Sequence, residues 1–224
     1  MRVWLRDQSL SLFFLSIFLV AMIGQSFAGH AVYNDEQLAH DAETISYWGY
    51  VFSSHFGEAL LENWESEWLQ MGLFALAGVY LFQRGSVESK QPDEAGFESD
   101  QKEKIGGFAQ QNSPRLAKLG DWRRGIYSHS LTIALVSIFF LSWLVQSLTG
   151  WTEFNNEQTE HDESPVSWLR YLTLPDFWEK TLQNWQSEFL ALGTMTVLTI
   201  YLRQRGSPES KPVGSPHTET GRSH

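Results

Sequence analysis

The sequence predicts an all-α fold: a four-span transmembrane helical bundle made of two tandem two-helix repeats in the same orientation, with external interfacial helices. The first observation behind this prediction is that residues 9–90 align with residues 130–211 without a gap, with 33 of 82 positions identical. The second is that each repeat holds two apolar stretches almost free of charge, and a helix needs about 20 such residues to cross a bilayer. The polar loops between the stretches keep the mean hydropathy of the chain slightly negative.

The repeat divides the chain into four parts. Residues 1–90 form the first repeat and residues 127–211 form the second. Residues 91–126 mix Glu, Lys, Gln, Gly and Pro with little apolar periodicity, which predicts a mostly disordered cytoplasmic linker. Residues 212–224 are rich in Pro, Gly, Ser and Thr, which predicts a disordered tail. The predicted spans cover about residues 9–29, 63–84, 129–150 and 184–205.

The first helix of each repeat is predicted to end near a glycine, Gly29 or Gly150, because glycine just past the last turn commonly terminates a helix. An external loop follows, and then an aromatic-rich segment at residues 46–50 or 167–171. Tyr and Trp are favoured at the boundary between membrane and water. These two segments are therefore predicted to be short helices that lie at the membrane surface.

The second helix of each repeat is predicted to be continuous over about 30 residues, or about 45 Å. It starts outside the membrane as an amphipathic turn and then crosses the bilayer. It is predicted to end at Arg84 and Gly85 in the first repeat and at Arg205 and Gly206 in the second. Cations suit the C-terminal end of a helix, and glycine terminates it.

Charge is distributed unevenly along the chain. Residues 30–67 carry eight carboxylates and no Lys or Arg, and residues 151–188 carry eight carboxylates against Arg170 and Lys180. The other basic residues lie in the N-terminal segment, the linker and the tail. By the positive-inside rule those segments are cytoplasmic, including both termini, and the two acidic loops are external. An even number of spans per repeat then relates the repeats by a pseudo-two-fold axis along the membrane normal.

A cleaved signal peptide is the alternative interpretation of the first span. Residues Ser26, Phe27 and Ala28 match a small-x-small cleavage site. The repeat argues against cleavage, because residues 9–29 align with residues 130–150, which lie in the middle of the chain. A membrane span is therefore the favoured interpretation of both segments.

Composition excludes several classes of protein. The net charge of −10 excludes a broadly basic nucleic-acid binder. The absence of cysteine excludes disulfides, thiolate metal sites and thiol nucleophiles. The sequence holds no phosphate-binding loop, nucleophile elbow or His-Glu-x-x-His motif. The sequence therefore favours a non-enzymatic protein and identifies no cofactor.

Polar residues recur in both repeats near the external ends of the predicted spans. In each repeat an Asn and a Glu stand four residues apart, so they share one face of the second helix. A carboxylate at membrane depth is costly unless it faces the bundle interior, water or a partner. One interpretation is a vestibule that binds a cation or a polar headgroup; the favoured one is helix-start chemistry with hydrogen bonds between helices. The vestibule residues are Gln25, Asn63, Glu67, Gln146, Asn184 and Glu188.

The two external loops repeat a Glu-x-x-x-His-Asp pattern. On a helix the Glu and the His point the same way, and two such units offer the imidazole and carboxylate ligands that Zn or Mn accept. The spacing is no specific metal motif, so capping or loop hydrogen bonds are the alternative role. His30, His55 and His129 have no histidine opposite them and are predicted to be incidental. The candidate metal ligands are Glu36, His40, Asp41, Glu157, His161 and Asp162.

The best-preserved block between the repeats is Gln-Arg-Gly-Ser-x-Glu-Ser-Lys, at residues 83–90 and 204–211. One interpretation is that its cations contact lipid phosphates or a partner on the cytoplasmic side. The other is that the block only fixes how the helix ends. The basic residues concerned are Arg84, Lys90, Arg205 and Lys211.

The motifs Asn-Trp-[Glu/Gln]-Ser-Glu-[Trp/Phe]-Leu, Gln-Arg-Gly-Ser-x-Glu-Ser-Lys and Asn-x-Glu-Gln-x-x-His resemble those of a bacterial membrane-protein family known only as a domain of unknown function. The resemblance covers both repeats, which is nearly the whole chain outside the linker and tail. It implies a four-span protein of the bacterial inner membrane and implies no activity. Phe82 stands opposite Arg203 and departs from the basic residue associated with that position.

Three functions follow from these observations. The leading one is a non-enzymatic accessory or scaffold subunit of the bacterial inner membrane, with lipids and either another membrane protein or a second copy as partners, and no nucleic acid. The second is a small transporter or channel with the Gln, Asn and Glu vestibule as its mouth, although the spans hold no ionisable residue deeper in to continue a pathway. The third is a membrane-bound metal-binding protein that uses the external His, Glu and Asp residues.

Overall fold

The computed structural model describes residues 2–40 and 42–221, and every regular element in these two stretches is helical. The predicted all-α class is therefore confirmed for the described chain. Three short 3-10 helices accompany the α-helices, at Pro92–Glu94, Gly106–Phe108 and Arg115–Lys118. The α-helices are α1 (Arg2–Asp7), α2 (Ser9–Ala39), α3 (Tyr47–Val51), α4 (Ser54–Tyr80), α5 (Trp122–Ser128), α6 (Ser130–Glu160), α7 (Trp168–Tyr171) and α8 (Pro175–Tyr201).

The helices of the first repeat reappear in the second with the same spacing. Helices α2 and α6 both have 31 residues, and helices α4 and α8 both have 27. Their first residues, Ser9 and Ser130 for one pair and Ser54 and Pro175 for the other, are 121 positions apart. The same local sequence pattern thus gives the same helices twice.

The expectation that α2 and α6 end at Gly29 and Gly150 is wrong, because both helices continue for ten residues beyond the glycine. Neither glycine has the positive φ of a helix stop. Each lies where a tyrosine packs against the helix: a Cβ on Gly29 would collide with the Tyr50 hydroxyl, and one on Gly150 would lie 2.6 Å from the Tyr171 hydroxyl. These glycines are therefore required by close packing and not by chain termination.

The second helix of each repeat also differs from the prediction at its C-terminal end. Helix α4 ends at Tyr80 and helix α8 at Tyr201, before the Arg-Gly pairs. The glycines lie in the loops that follow, where Gly85 has a φ of 88° and Gly206 a φ of 83°. Left-handed backbone of this kind favours glycine, so the glycines turn the chain a few residues after the helices have ended.

The predicted linker, residues 91–126, contains the three 3-10 helices and the start of α5. The carboxylate of Asp121 caps α5 by accepting a hydrogen bond of 3.1 Å from the backbone N–H of Arg123. Lys102, whose side chain is 58% exposed, forms ion pairs with Glu94 and with the half-buried Glu98. Exposed pairs of this kind contribute little stability. The disorder predicted for this segment stays a prediction.

The chain divides into two compact units, and each takes residues from both repeats. Unit 1 comprises Met1–Leu60 and Gln146–Tyr171, and unit 2 comprises Leu61–Val145 and Leu172–His224. Unit 1 thus combines α2, α3 and α7 with the start of α4 and the end of α6. Unit 2 holds the remainder of α4 and α6, together with α5 and α8. Fully buried tyrosines, Tyr50 and Tyr171, form the centre of unit 1, whereas Phe139, Phe177 and Ile200 are buried in unit 2.

Two helices are long and apolar enough to cross a membrane, namely α2 and α6, within the stretches that the structure describes. The most apolar window of α2 has a mean hydropathy of 2.1 and is only 6% buried, and that of α6 has 2.0 and is 28% buried. Helices α4 and α8 do not reach the same hydropathy, because polar and charged residues occupy their first halves. Two of the four predicted spans thus meet the criterion of length and composition, and spanning by α4 and α8 stays a prediction.

Candidate functional site

Unit 1 contains a cavity of about 740 Å³ lined by residues of both repeats. Four glutamates and three histidines contribute to its wall, together with neutral residues, and no Lys or Arg is among the lining residues. The ionisable lining residues are Glu36, Glu153, Glu157, Glu160, His40, His55 and His161. The others are Tyr33, Gln37, Asn156 and Thr159. Such a lining gives the cavity a negative potential and two kinds of metal-ligating group.

The long helices α2 and α6 bring these side chains to the cavity because both helices end beside it. Glu36 stands in the last turn of α2 and His40 caps its C-terminus, while Glu157 and His161 occupy the corresponding positions of α6. The C-terminal end of a helix carries the negative pole of its dipole. The two helix C-termini and the four carboxylates all make the potential in the cavity more negative, which favours a cationic ligand.

An asparagine in each repeat fixes the loop that follows the long helix. The amide of Asn34 donates to the carbonyl of Ile45 at 3.1 Å and accepts from its N–H at 2.9 Å. Asn155 makes the same pair of hydrogen bonds with Val166, at 3.0 and 2.8 Å. A side chain that satisfies both groups of one backbone residue holds the loop to the helix. The loop geometry of the two repeats is thus set by one recurrent asparagine.

His30 and the residue at the equivalent position of the second repeat make equivalent hydrogen bonds, although their residue types differ. Its Nε2 lies 2.8 Å from the carbonyl oxygen of Ile45, and the Nε1 of Trp151 donates to the carbonyl of Val166 at 2.7 Å. Positions 30 and 151 are equivalent in the repeat. The expectation that His30 is incidental followed from comparing residue identities, whereas the hydrogen bond is common to both ring types.

The short aromatic helices are attached to the long helices by a second recurrent hydrogen bond. The hydroxyls of Ser26 and Tyr47 are 2.8 Å apart, and the Nε1 of Trp168 donates to the Ser147 hydroxyl at 3.1 Å. Burial raises the pKa of the Tyr50 phenol in α3, and the Glu36 carboxylate raises it further. The phenol that packs on Gly29 therefore stays neutral at physiological pH.

The structure brings four of the six predicted metal ligands into the same cavity wall: Glu36, His40, Glu157 and His161. Asp162 is exposed outside the wall with a φ of 58°, and Asp41 lies outside the described residues. His55, which sequence reasoning passed over, also lines the cavity. No group of three or more His, Asp or Glu side chains in residues 2–40 and 42–221 is arranged to hold a metal ion directly. The donors share a cavity without standing at direct-ligand spacing.

The predicted vestibule residues have different surroundings in the two units. In unit 1, Gln25 is exposed and Gln146 is only 2% exposed. In unit 2, Asn184 donates to Glu62 Oε1 at 2.9 Å, and Asn63 is exposed. These surroundings differ for equivalent positions of the repeat, so each vestibule residue takes its role from its neighbours and not from its position alone.

The two vestibule glutamates lie in unit 2. Glu67 is exposed, and Glu188 is half-buried. The side chain of Gln70 donates to the backbone carbonyl of Glu188 at 2.8 Å. This contact between α4 and α8 uses the backbone of Glu188, so it places the residue without using its carboxylate.

Glu65 is a fully buried carboxylate of unit 2 that sequence reasoning missed. Its side chain is 0% exposed, and both carboxylate oxygens accept from the Nε1 of Trp185, at 2.9 and 3.0 Å. A buried carboxylate is costly unless it is hydrogen-bonded. Position 65 aligns with Gln186, so a search for identical residues passes over it. Its place within the Asn-Trp-Glu-Ser-Glu motif was the feature of the sequence that could have identified it.

The two Gln-Arg-Gly-Ser-x-Glu-Ser-Lys loops use their lysines internally. Lys90 Nζ donates to the carbonyl of Gly96 and to Glu98, at 2.9 and 2.8 Å. Lys211 Nζ, 2% exposed, donates to the carbonyl oxygens of four residues; burial lowers its pKa, and nearby Arg203 lowers it further. The four acceptors are Gly85, Pro216, His217 and Glu219. Of the four cations predicted to contact lipid, Arg84 and Arg205 are the exposed ones.

The sequence profile of a family described as a domain of unknown function, DUF6766, matches residues 1–222 of the chain. The comparisons with curated proteins and with solved structures find no match to it.

Proposed function

From the premise that the chain belongs to the DUF6766 family, we propose that it is a four-span protein of the bacterial inner membrane with both termini in the cytoplasm. We propose further that it acts as a non-enzymatic accessory or scaffold subunit. The orientation follows from the charge distribution, since the basic segments stay on the cytoplasmic side.

The observation that supports membrane residence is the exposure of the most apolar helix. The apolar window of α2 is only 6% buried, whereas a helix of this hydropathy in the core of a soluble protein is mostly covered. Val20 is 73% exposed and Leu10 is 69% exposed. An exposed apolar surface of this length has lipid as its natural surroundings. Helix α6 supports the same conclusion. It lies in the middle of the chain, so it is not a signal peptide.

The external aromatic helices support the same placement. Trp48 and Phe52 stack with their ring centroids 6.3 Å apart, and they are 67% and 83% exposed. Leu169, in the equivalent helix of the second repeat, is 70% exposed. Exposed rings at a helix that ends an apolar span are typical of the membrane interface or of a docked partner. They fit a scaffold that contacts lipid and protein with the same face.

Purification from the native membrane in mild detergent, followed by mass spectrometry, tests the scaffold role. We expect the tagged protein to resist extraction by carbonate and to be recovered with a stoichiometric membrane partner or as a homo-oligomer. The variant with Trp48 and Phe52 both changed to Ala is expected to lose that partner while it remains in the membrane. Recovery of a monomer without any partner would contradict the scaffold role, and release by carbonate would contradict membrane residence.

The cavity of unit 1 favours a second candidate function, a membrane-bound metal-binding protein. Its wall carries Glu36, His40, Glu157 and His161 from equivalent positions of the two repeats. Zn and Mn accept imidazole and carboxylate ligands. Because these donors are not at direct-ligand spacing, the cavity accommodates a hydrated cation that the carboxylates hold through water.

Calorimetric titration of the purified protein with Zn or Mn tests this second function. We expect saturable binding that weakens at least about tenfold when His40 and His161 are both changed to Ala, as is typical when groups that tune a metal site are lost. The matched control is His129→Ala, which removes an imidazole outside the cavity wall. Equal affinity of all three proteins, or no binding by the wild type, would exclude the cavity as a metal site.

A further inference from the structure

The two Gln-Arg-Gly-Ser-x-Glu-Ser-Lys loops of unit 2 are built by the same hydrogen bonds. Ser89 Oγ accepts from the N–H of Gln83 at 2.8 Å, and Ser210 Oγ accepts from the N–H of Gln204 at 2.9 Å. The first serine of each loop accepts from the N–H two residues later, at 3.2 and 3.1 Å. With the glycines in left-handed backbone and the lysines bound to carbonyl oxygens, most of the block's polar residues have an internal structural role.

The arginine of the block has no such role in either loop. The side chains of Arg84 and Arg205 are exposed, and within the part of the chain that the structure describes they make no hydrogen bond or ion pair. The preceding glutamines, Gln83 and Gln204, are exposed as well. Both loops therefore present an exposed Gln-Arg pair at the same place, and the side chains of the pair make none of the hydrogen bonds that shape the loops.

The surroundings of each pair are those of a membrane boundary. Tyr80 and Leu81, just before the first pair, are 52% and 68% exposed. Tyr201 and Leu202, before the second pair, are 60% and 59% exposed. Aromatic rings favour the headgroup level of a bilayer, and an arginine a few residues further on reaches the phosphates.

The second pair also lines a concave surface. Gln204 and Arg205 contribute to a cavity of about 580 Å³ whose wall is formed by residues of the same loop, including Ser207. A guanidinium offers a planar fork of donors that matches the oxygens of a phosphate, and a neighbouring amide adds a further donor. These donors suit the phosphate of a phospholipid, and the rest of the wall is mostly apolar.

We propose that Arg84 and Arg205, each with the glutamine before it, bind the headgroup phosphates of anionic phospholipids in the cytoplasmic leaflet. This inference rests on the proposed membrane residence. The two loops then hold the C-terminal ends of α4 and α8 at the depth of the headgroups. Lys90 and Lys211 donate to carbonyl oxygens of the protein itself and take no direct part in lipid binding.

Native mass spectrometry of protein released from nanodiscs tests the proposal, with phosphatidylcholine discs that contain or lack phosphatidylglycerol. We expect wild-type protein to retain phosphatidylglycerol in preference to phosphatidylcholine, and high salt to weaken that preference. Changing both Arg84 and Arg205 to Gln is expected to lower retention roughly fivefold for each arginine, the effect of one basic residue near an anionic surface. Changing both to Lys is expected to restore part of the loss, because the charge remains while the fork is absent.

The matched control removes two exposed cations elsewhere, by changing Lys102 and Lys104 to Gln. This control is expected to retain phosphatidylglycerol as the wild type does. Equal retention by the Arg-to-Gln variant and the control would overturn the proposal. Displacement by inorganic phosphate in detergent, without preference among lipids, would overturn lipid as the occupant. Failure of the wild type to enter nanodiscs would instead contradict the proposed membrane residence.

Discussion

Two buried tyrosines explain why the long helices contain a glycine ten residues before they end. Tyr50 and Tyr171 are 2% and 1% exposed, and each places its hydroxyl where a side chain on Gly29 or Gly150 would begin. A helix tolerates glycine at a cost in propensity. That cost is offset here by contact between a short aromatic helix and the long one.

The first prediction concerns this contact. Gly29→Ala is expected to lower the free energy of unfolding by about 1–3 kcal/mol, because the added methyl group collides with a buried ring that has no room to move. Gly24→Ala is the matched control in the same helix, where a Cβ meets nothing within 4 Å. It is expected to leave stability unchanged or to raise it by up to about 1 kcal/mol. Helical circular dichroism during unfolding in one detergent measures both; equal stability of the two variants would contradict the packing role.

The hydrogen bonds from Trp185 to Glu65 give the second prediction. Trp185→Phe keeps an aromatic ring but removes the donor to a fully buried carboxylate. It is expected to destabilise the protein by about 1–3 kcal/mol, the usual cost of an unsatisfied buried group. Adding Glu65→Gln to that variant is expected to recover part of the loss, because a neutral amide is less costly to bury unpaired.

A double-mutant cycle of the same two residues separates their coupling from independent effects. Trp122→Phe, at a position that is 70% exposed, is the control for loss of an indole. A Trp185→Phe protein as stable as the wild type, or a cycle with no coupling, would show that the bond contributes nothing measurable.

At the scale of the elements, one asparagine in each repeat decides how the following loop leaves the long helix. Asn34 binds both backbone groups of Ile45, and Asn155 does the same for Val166. The segments between these residues carry two of the three histidines of the cavity wall, His40 and His161. The position of His40 and His161 thus depends on hydrogen bonds made by a neutral residue several positions earlier.

The third prediction tests that dependence. Asn155→Ala is expected to expose the backbone N–H of Val166 to hydrogen exchange, with protection falling by about tenfold or more for the loss of two hydrogen bonds. The adjacent Asn156→Ala is the matched control, since Asn156 lines the cavity and its side chain makes no hydrogen bond in the described structure. Unchanged exchange at Val166 in the Asn155 variant would show that the loop is held by other contacts.

The two kinds of long helix differ in what their sequences specify. Helices α2 and α6 each contain an apolar stretch that meets the criterion for a span by itself, and their polar residues lie mainly toward their C-terminal ends. Helices α4 and α8 begin with carboxylates and amides that bond across unit 2, such as Asn184 to Glu62. Their polar halves therefore need a partner helix, whereas the apolar helices need only a surrounding apolar medium.

At the scale of the whole molecule, neither repeat corresponds to a compact unit. Unit 1 holds a hydrogen bond of 2.9 Å from Ser54 in the first repeat to Glu153 in the second, and unit 2 holds the bond from Trp185 to Glu65. Each unit therefore takes part of its packing from both halves of the chain. The sequence repeat describes a duplicated pattern of helices and not two independent domains.

The fourth prediction follows from this arrangement. Residues 1–100 and 101–224, expressed as separate chains, are each expected to be unstable alone and to copurify as a folded complex when expressed together. The break falls between exposed residues of the predicted linker. A full-length chain with a protease site at the same place is the control. Size-exclusion chromatography and circular dichroism in detergent measure the result; a half that folds alone with native helix content would contradict it.

Much of the fold was predictable because it depends on local pattern. The helical class, the equal lengths of the paired helices and the turns at Gly85 and Gly206 follow from apolar periodicity, from the 121-residue shift and from glycine chemistry. Four predicted metal ligands were also found together in one cavity wall, because two equal helices present the same positions at their C-terminal ends. The repeat therefore predicted that these four residues would lie together, although no single motif identified them.

The sequence by itself determined the type, number and repetition of the long helices, since these depend on neighbours within a few turns. Only the tertiary structure decided that Glu65 is buried while Glu67 is exposed, that α2 continues past Gly29, and that Lys211 turns inward. Each of these outcomes depends on a residue elsewhere in the chain that packs against the group, donates a hydrogen bond to it or accepts one from it. The local sequence does not specify that neighbour. The roles of these residues are therefore set by burial and by hydrogen bonds between residues that are distant in the chain.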